Sequence, residues 1–188
     1  MRTARHFFTC VRTVLAVACL FAPRLLIAQD AKPTEYQVKA AYLTNLGRFV
    51  SQWSGGSGSS ADETFNICVL GRDPFGPDLD RAVKGEKIGG SALAAKRITG
   101  LQEASGCRIL FISSADDAQI GSILASLGAT PVLTVSDIPD FAKRGGMIQF
   151  ILDGNHVRFE INIAAARRSG LTLSSELLKI ARAIRRTP

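Results

Sequence analysis

The chain has 188 residues, of which 46% are hydrophobic and 21% charged, with 17 glycines, 7 prolines and 4 cysteines. This composition excludes collagen-like, disordered and disulfide-dense small proteins, and the length suits one domain with a single hydrophobic core. The formal net charge of +7 is concentrated at the two ends, because residues 1–28 hold four basic residues and no acidic ones, and residues 167–188 hold six basic residues against one acidic residue.

Residues 1–28 have the three parts of a secretory signal peptide. A basic segment comes first, the apolar segment Val14–Ala22 follows, and Ala28 offers a small residue before a cleavage site. We therefore expect export from the cytoplasm, which leaves residues 29–188 as a single mature domain. Lipidation at Cys19 is the alternative, although the apolar stretch before that cysteine is short for a signal sequence.

Removal of the signal peptide leaves two cysteines, Cys68 and Cys107. Two thiols in an oxidising compartment usually form one disulfide. Cys68 lies in one predicted strand and Cys107 opens another, and neighbouring strands would bring them together. We therefore predict a bond between them, with two separately buried cysteines as the alternative.

The first predicted element of the mature chain is a helix over Glu35–Ser54. Its apolar side chains recur at spacings of three and four, as on one face of a helix. They are Val38, Tyr42, Leu46, Phe49, Val50 and Trp53. Such a stripe usually packs in a core, with a partner groove as the alternative. Residues 54–60 are all serine or glycine and predict a flexible linker.

After the linker, short apolar runs alternate with helical segments. The predicted strands are Phe65–Leu70, Lys96–Thr99, Cys107–Ser113, Pro131–Val135, Met147–Leu152 and Val157–Ile161. The predicted helices are Pro77–Lys84, Asp116–Leu127, Ile138–Lys143, Ile163–Ser169 and Ser175–Arg186. Continuous apolar runs are typical of buried parallel strands, whereas the Asp-Gly-Asn turn at 153–155 predicts a hairpin. We therefore predict an α/β fold with an open, mostly parallel sheet flanked by helices and a C-terminal antiparallel hairpin.

The sequence after the signal peptide lacks the familiar catalytic motifs. Its one histidine is His156, so neither a Ser-His-Asp triad nor a multi-histidine metal site is expected. The segment Gly71–Gly76 follows a predicted strand, where open α/β sheets often bind ligands, but its glycine spacing favours a structural turn. Asp116 and Asp117 suit the start of a helix. We expect no enzymatic activity, no cofactor, no metal and no nucleic-acid partner.

Several blocks of the sequence, taken in order, resemble the YfiR family. They are AAYLTNLGRFV at 40–50, ICVLGRDPFG at 67–76, GGMI at 145–148, VRFEIN at 157–162 and GLTLSSELL at 170–178. The resemblance extends from about Glu35 to Ala181, nearly the whole mature chain. Each block alone is short, and it is their order and separation that make the resemblance specific.

The resemblance implies a non-enzymatic homodimer that binds the periplasmic sensor region of an inner-membrane diguanylate cyclase and represses it. Release, through an outer-membrane lipoprotein or envelope redox stress, would raise cyclic di-GMP and favour biofilm formation. By the same resemblance Cys68 and Cys107 correspond to one disulfide of the family, while a second cysteine pair is missing. A periplasmic module that binds a small ligand and signals to a membrane receptor or kinase is the alternative function.

The resemblance also directs attention to the last predicted strand, where Glu160 matches a position implicated in repression. Strand alternation places Arg158 and Glu160 on the face opposite Val157, Phe159 and Ile161. We therefore predict that Glu160 contacts the partner. An ordinary solvated residue or a cross-strand ion pair is the alternative.

A predicted apolar patch follows Glu160 in the sequence. Leu171, Leu173 and Leu177, with Arg167 nearby, would provide an apolar centre and a charged rim, which is the usual composition of a protein interface. Packing of the three leucines in the core is the alternative.

Overall fold

The computed structural model describes residues 32–53 and 64–186, and the predicted signal peptide and linker lie outside them. The helices are α1 (Glu35–Leu46), α2 (Pro77–Val83), α3 (Ile120–Leu127), α4 (Ile163–Arg168) and α5 (Ser175–Ile180). The strands are β1 (Val50–Trp53), β2 (Phe65–Leu70), β3 (Lys87–Ile88), β4 (Ser91–Ile98), β5 (Ile109–Ile112), β6 (Leu133–Ser136), β7 (Ile148–Asp153), β8 (His156–Asn162), β9 (Leu171–Leu173) and β10 (Ala183–Arg185). Short 3-10 helices cover Gly47–Phe49, Leu101–Gly106 and Ser114–Gln119.

Eight of these strands form one sheet in the order β10-β8-β7-β6-β5-β2-β4-β3. The strands β4, β2, β5, β6 and β7 run parallel to one another. An antiparallel hairpin joins β7 to β8, and β10 runs parallel to β8. The strands β1 and β9 form a separate antiparallel pair. The predicted α/β fold, with its mostly parallel sheet and C-terminal hairpin, is confirmed.

Two hydrophobic clusters pack on opposite faces of the sheet, because successive side chains of a strand point to opposite sides. In β5, Ile109 and Phe111 belong to the first cluster and Leu110 and Ile112 to the second. All four are fully buried. The first cluster includes buried residues of α1 and α2, and the second includes those of α3. Since helices cover both faces, β5 is apolar at every position.

The first helix is shorter than predicted. It ends at Leu46, and β1 continues the chain as a strand that pairs with β9, with Val50 opposite Leu173. A side chain at Gly47 would have no room, because an added Cβ would lie 2.5 Å from the ring of Phe65. The apolar spacing up to Trp53 fits a helix, but the backbone partner supplied by β9 makes this segment extended.

The predicted helix over Ile138–Lys143 is wrong. This segment is a series of turns in which Asp140 has a positive φ of 59° and its carbonyl accepts from the backbone N–H groups of Lys143 and Arg144. The N–H of Ala142 donates to the side chain of Gln149 on β7 instead of to a helical carbonyl. Hydrogen bonds to the sheet thus replace those of a helix.

The predicted helix over Ser175–Arg186 is correct in its first half. The helix α5 ends at Ile180, and residues 183–185 form β10 beside β8, with Ile184 opposite Ile161. Three further features were not predicted: β3, β9 and the first five residues of β4, which begins at Ser91 and not at Lys96. The strands β3 and β9 have two and three residues, and the first five residues of β4 are mostly alanine, so these sequences carry little strand signal.

Candidate functional site

The predicted disulfide is present between Cys68 and Cys107, whose Cα atoms lie 5.9 Å apart. Cys68 lies on β2, and Cys107 follows a 3-10 helix just before β5. Both cysteines are buried in the second hydrophobic cluster. The bond therefore ties two neighbouring strands of the parallel sheet together from one face.

Glu160 lies inside the sheet and not on its last strand. It is half-buried on β8, opposite Gln149 of β7 on one side and Ala183 of β10 on the other. On the same face of β8, the side chain of Asn162 donates to the carbonyl of Ala142. Glu160 is therefore flanked on both sides by strands, and the described C-terminal edge of the sheet is β10.

The three leucines of the predicted docking patch lie in the core. Leu171 and Leu177 are 1% exposed and Leu173 is 6% exposed. Thr172, which lies between Leu171 and Leu173 on β9, faces solvent. The structure thus shows the core packing that the sequence left as the alternative, because β9 turns both of its leucines toward the first cluster. Arg167 at the end of α4 is exposed.

A different set of side chains is exposed in the C-terminal region. Among the described residues, the large hydrophobic side chains most exposed to solvent are Leu152 at 53% and Ile180 at 57%. Ile180 lies at the end of α5, three residues before β10. Exposed basic side chains precede and follow Ile180 in the chain. They are Arg167, Arg168, Lys179, Arg182 and Arg186. Sequence reasoning missed Ile180, since the same apolar spacing contains the buried Leu177.

A buried charged cluster between α1 and the loop after β6 was also missed. Lys39 on α1 is 3% exposed, and its Nζ lies 2.5 Å from Glu35 Oε1 and 2.6 Å from Asp137 Oδ2. The Tyr36 hydroxyl donates to the same Asp137 oxygen at 3.0 Å. Burial, and then the Asp137 charge, raise the pKa of Tyr36 to about 12. A lysine inside an apolar helical stripe gives no sequence signal of this arrangement.

This cluster joins α1 to the loop after β6, at the edge where the parallel strands end. A depression of about 240 Å³ lies beside it, lined by Glu35, Lys39, Ser114, Asp137, Phe150 and Leu152. Open α/β sheets commonly bind ligands at this edge. Here the lysine and the two carboxylates satisfy one another, so the cluster's first role is to fix the position of α1.

The Gly71–Gly76 turn is held by an arginine from β4. The guanidinium of Arg97 donates to Asp73 Oδ2 at 2.8 Å, to Asp80 Oδ1 at 2.7 Å and to the carbonyl of Gly76 at 2.8 Å. The hydrogen bond from Arg97 lowers the pKa of Asp80. Because Arg97 is committed to these internal acceptors, the contacts are those of a structural turn.

The fold and its surfaces define a class of protein: an α/β domain, tied by a disulfide, whose described residues bring no three His, Cys, Asp or Glu side chains together as metal ligands. The chain belongs to the YfiR/HmsC-like family, whose model matches residues 36–182. Members of this family are periplasmic regulatory proteins, and the chain is a regulatory domain of this kind. Within 32–53 and 64–186, no helix has the length and hydrophobicity needed to span a membrane.

Two solved structures are similar in fold. A conserved domain protein from Vibrio cholerae O1 biovar El Tor matches with a TM-score of 0.56 and 10% identity, over 82% of this chain and 62% of that one. An ABC domain in complex with L-Trp from Streptococcus pneumoniae matches with a TM-score of 0.51 and 11% identity, over 77% of this chain and 60% of that one. The chain thus spans about three fifths of either structure, and at these identities the similarity concerns the fold alone.

Proposed function

We propose that the chain is an exported protein that binds and represses the periplasmic sensor region of an inner-membrane diguanylate cyclase, and so lowers cyclic di-GMP and biofilm formation. The observation that carries this proposal is the family match over residues 36–182. In this proposal the protein acts by binding and not by catalysis. It works as a homodimer, and an outer-membrane lipoprotein relieves the repression.

Two structural features support an exported binding protein. A buried disulfide is suited to an oxidising compartment such as the periplasm. The C-terminal region combines the exposed Ile180 with exposed basic side chains, and an apolar centre with a charged rim is the usual composition of a protein interface.

The proposed contact surface includes Glu160 and Arg167. Both project from the C-terminal third of the chain, the first from β8 and the second from α4. The side chains of Leu171, Leu173 and Leu177 are buried. In this proposal they act indirectly, by holding β9 and α5 in place behind the contact surface.

Gene deletion tests the proposal directly. Loss of this gene should raise intracellular cyclic di-GMP, and deletion of the cognate cyclase in the same strain should restore the starting level. Cyclic di-GMP is measured by mass spectrometry under conditions in which the protein is made. An unchanged level in the single deletion would contradict repression.

A charge reversal tests the proposed surface. Glu160→Lys should weaken capture of the cyclase's periplasmic region, because a favourable pair made by the Glu160 carboxylate is lost. The matched variant is Arg72→Glu, a charge reversal on the exposed Gly71–Gly76 turn. Circular dichroism first confirms that both variants fold. Normal binding by Glu160→Lys, with loss of binding by Arg72→Glu, would move the contact to the turn.

The second candidate function is a small-ligand module that signals to a membrane receptor or kinase. The observation that favours it is the depression beside Lys39 and Asp137, at the edge of the sheet where such folds bind ligands. The neighbouring gene discriminates between the two functions: a membrane protein with a cyclase domain supports repression, and a transporter or kinase supports the ligand module.

A further inference from the structure

The strand β10 leaves one edge of the sheet open. Among the described residues its one strand neighbour is β8, and an unpaired edge offers backbone groups to another chain. We propose that this edge binds an extended acidic segment of the partner protein, which adds to the sheet as a further strand. The inference rests on the proposed function, for which it names the docking mode.

The direction of the backbone groups supports this mode. The N–H of Asn162 donates to the carbonyl of Met147 on the β7 side, so alternation turns the backbone groups of Phe159 and Ile161 toward β10. The carbonyl of Phe159 indeed accepts from Arg182 on that side. In two parallel strands, a residue whose backbone N–H and C=O bond to the neighbouring strand lies opposite a residue whose own N–H and C=O point away from the pair. Ile184, opposite Ile161, therefore presents its N–H and C=O at the open edge.

The charges along the edge favour an acidic segment. Arg182, Arg185 and Arg186 belong to β10 or flank it directly, and Lys179 precedes it on α5. Of these basic residues, Lys179, Arg182 and Arg186 are exposed. An acidic strand beside β10 would lie close to Arg182 and Arg186, which flank the strand directly.

Acidic residues also lie in this region: Glu176 is on α5, Glu160 is opposite Ala183 of β10, and Asp140 and Asp153 lie farther inside the sheet or in its turns. Arg182 approaches Asp153 of β7 at 3.7 Å, and both side chains are more than half exposed. The pKa of Asp140 is lowered chiefly by its hydrogen bond with Lys143, and the charge of Arg185 adds to the effect. These two carboxylates offset part of the positive charge of Arg182 and Arg185, while Lys179 and Arg186 remain exposed near the edge.

The same charges argue against a second copy as the occupant. Pairing of two β10 edges would place the arginines of one strand opposite those of the other, and like charges directly opposite destabilise a strand pair. Basic residues on a short edge strand thus discourage self-association. They leave the edge available to a strand of opposite charge. Ile180, 57% exposed, offers an apolar contact at the start of this edge.

A peptide titration with the full chain tests the inference. The probe is a fluorescein-labelled peptide of alternating aspartate and valine, seven residues long by design, and binding is followed by fluorescence anisotropy. The variant Ile184→Pro removes the outward N–H and should weaken binding by about tenfold or more. Ile184→Ala loses the same side chain but keeps the N–H, and it should bind within about threefold of the unmodified protein. Both variants are first checked by circular dichroism.

Charge provides the second arm of this test. A peptide with lysine in place of aspartate should not bind, Arg185→Glu should weaken the aspartate peptide, and added salt should weaken it further. Equal binding of the two peptides, or equal binding by Ile184→Pro and Ile184→Ala, would overturn the inference. Dissociation of a homodimer by Ile184→Pro, without any peptide binding, would assign the edge to a second copy instead.

Capture of the cyclase's periplasmic region separates this inference from the proposed function. If Ile184→Pro captures it as well as Ile184→Ala does, while Glu160→Lys does not, the edge-strand docking is wrong and repression stands. If the cyclase region does not bind the unmodified protein, yet the aspartate peptide binds and Ile184→Pro abolishes that binding, the edge site stands and the cyclase is the wrong partner.

Discussion

Lys39 Nζ lies 2.6 Å from Asp137 Oδ2, and only 3% of the lysine side chain is exposed. The two residues are far apart in the sequence, and their contact fixes α1 to the loop that follows β6. A buried charge is tolerated when a partner of opposite charge and hydrogen bonds compensate it. This pair is therefore expected to behave very differently from an ion pair at the surface.

Removal of one partner of this pair should destabilise the protein strongly. Lys39→Met leaves the carboxylates of Glu35 and Asp137 without the cation that pairs with both, and breaking a buried pair in this way typically costs about 3 to 5 kcal/mol. Urea denaturation followed by circular dichroism measures the change. Arg48→Met breaks the exposed pair with Glu86, 44% and 51% exposed, and should cost less than about 1 kcal/mol. Similar losses in the two variants would contradict the buried pair's role.

Stability should fall at alkaline pH because of Tyr36. Its folded pKa of about 12 exceeds the ordinary value of 10.0, so the unfolded chain releases this proton first as pH rises. The stabilisation is complete below pH 10.0 and is lost as the pH passes from there to about 12. Melting temperatures of the protein and of Tyr36→Phe, measured across this range, should show the steeper fall for the protein with Tyr36.

The ionisation of Tyr36 is directly visible in the spectrum. Absorbance near 295 nm should rise as the pH approaches about 12, and Tyr36→Phe should remove that part of the rise. An absorbance curve that the substitution leaves unchanged in this range would show that Asp137 and burial do not hold this proton.

Loss of the disulfide should lower stability mainly through the unfolded state. The bond joins residues 39 positions apart, and closing a loop of this size is worth roughly 3 to 4 kcal/mol in the chain-entropy model. We expect the double variant Cys68→Ala with Cys107→Ala to lose up to that amount in urea denaturation. The protein purified from the periplasm should yield the linked peptides in nonreducing mass spectrometry, and two free thiols would refute the bond.

Truncation of two apolar residues of α5 should change the free energy of unfolding by very different amounts. Leu177→Ala empties a position that is 1% exposed and should cost about 2 to 5 kcal/mol of unfolding free energy. Ile180→Ala alters a side chain that is 57% exposed and should change stability by no more than about 0.5 kcal/mol. Comparable losses would mean that Ile180 packs against the core and is not available to a partner.

The strands at the centre of the sheet were predictable because their sequences allow one interpretation. Apolar runs at 67–70 and at Ile109–Ile112 are too short for buried helices and suit strands covered on both faces. The pairing of Cys68 with Cys107 followed from export and from the position of each in a predicted strand. The types of residues and their order along the chain were sufficient to predict these strands, the disulfide and the family resemblance.

The C-terminal segment shows what the sequence left undecided. The apolar spacing that contains Leu177 and Ile180 fits one continuous helix through Arg186, yet the chain leaves the helix at Ile180 and forms β10. Helix propensity differs among ordinary residues by well under about 1 kcal/mol each. A free strand edge on β8 is therefore enough to decide the conformation, and no local pattern reports that such an edge exists.

The same reason explains the positions of the individual site residues. The sequence placed Leu171 and Leu173 in one apolar patch, but whether they meet solvent or the core depended on β1, which pairs with β9 from more than a hundred residues away. Likewise, Lys39 lies next to the apolar stripe of α1, and nothing in the sequence indicates its contact with Asp137. Sequence alone determined the fold class, the disulfide and the family, because these follow from local composition and order. Burial, strand pairing and ion pairing were decided by the tertiary structure, because each depends on partners that are distant in the chain.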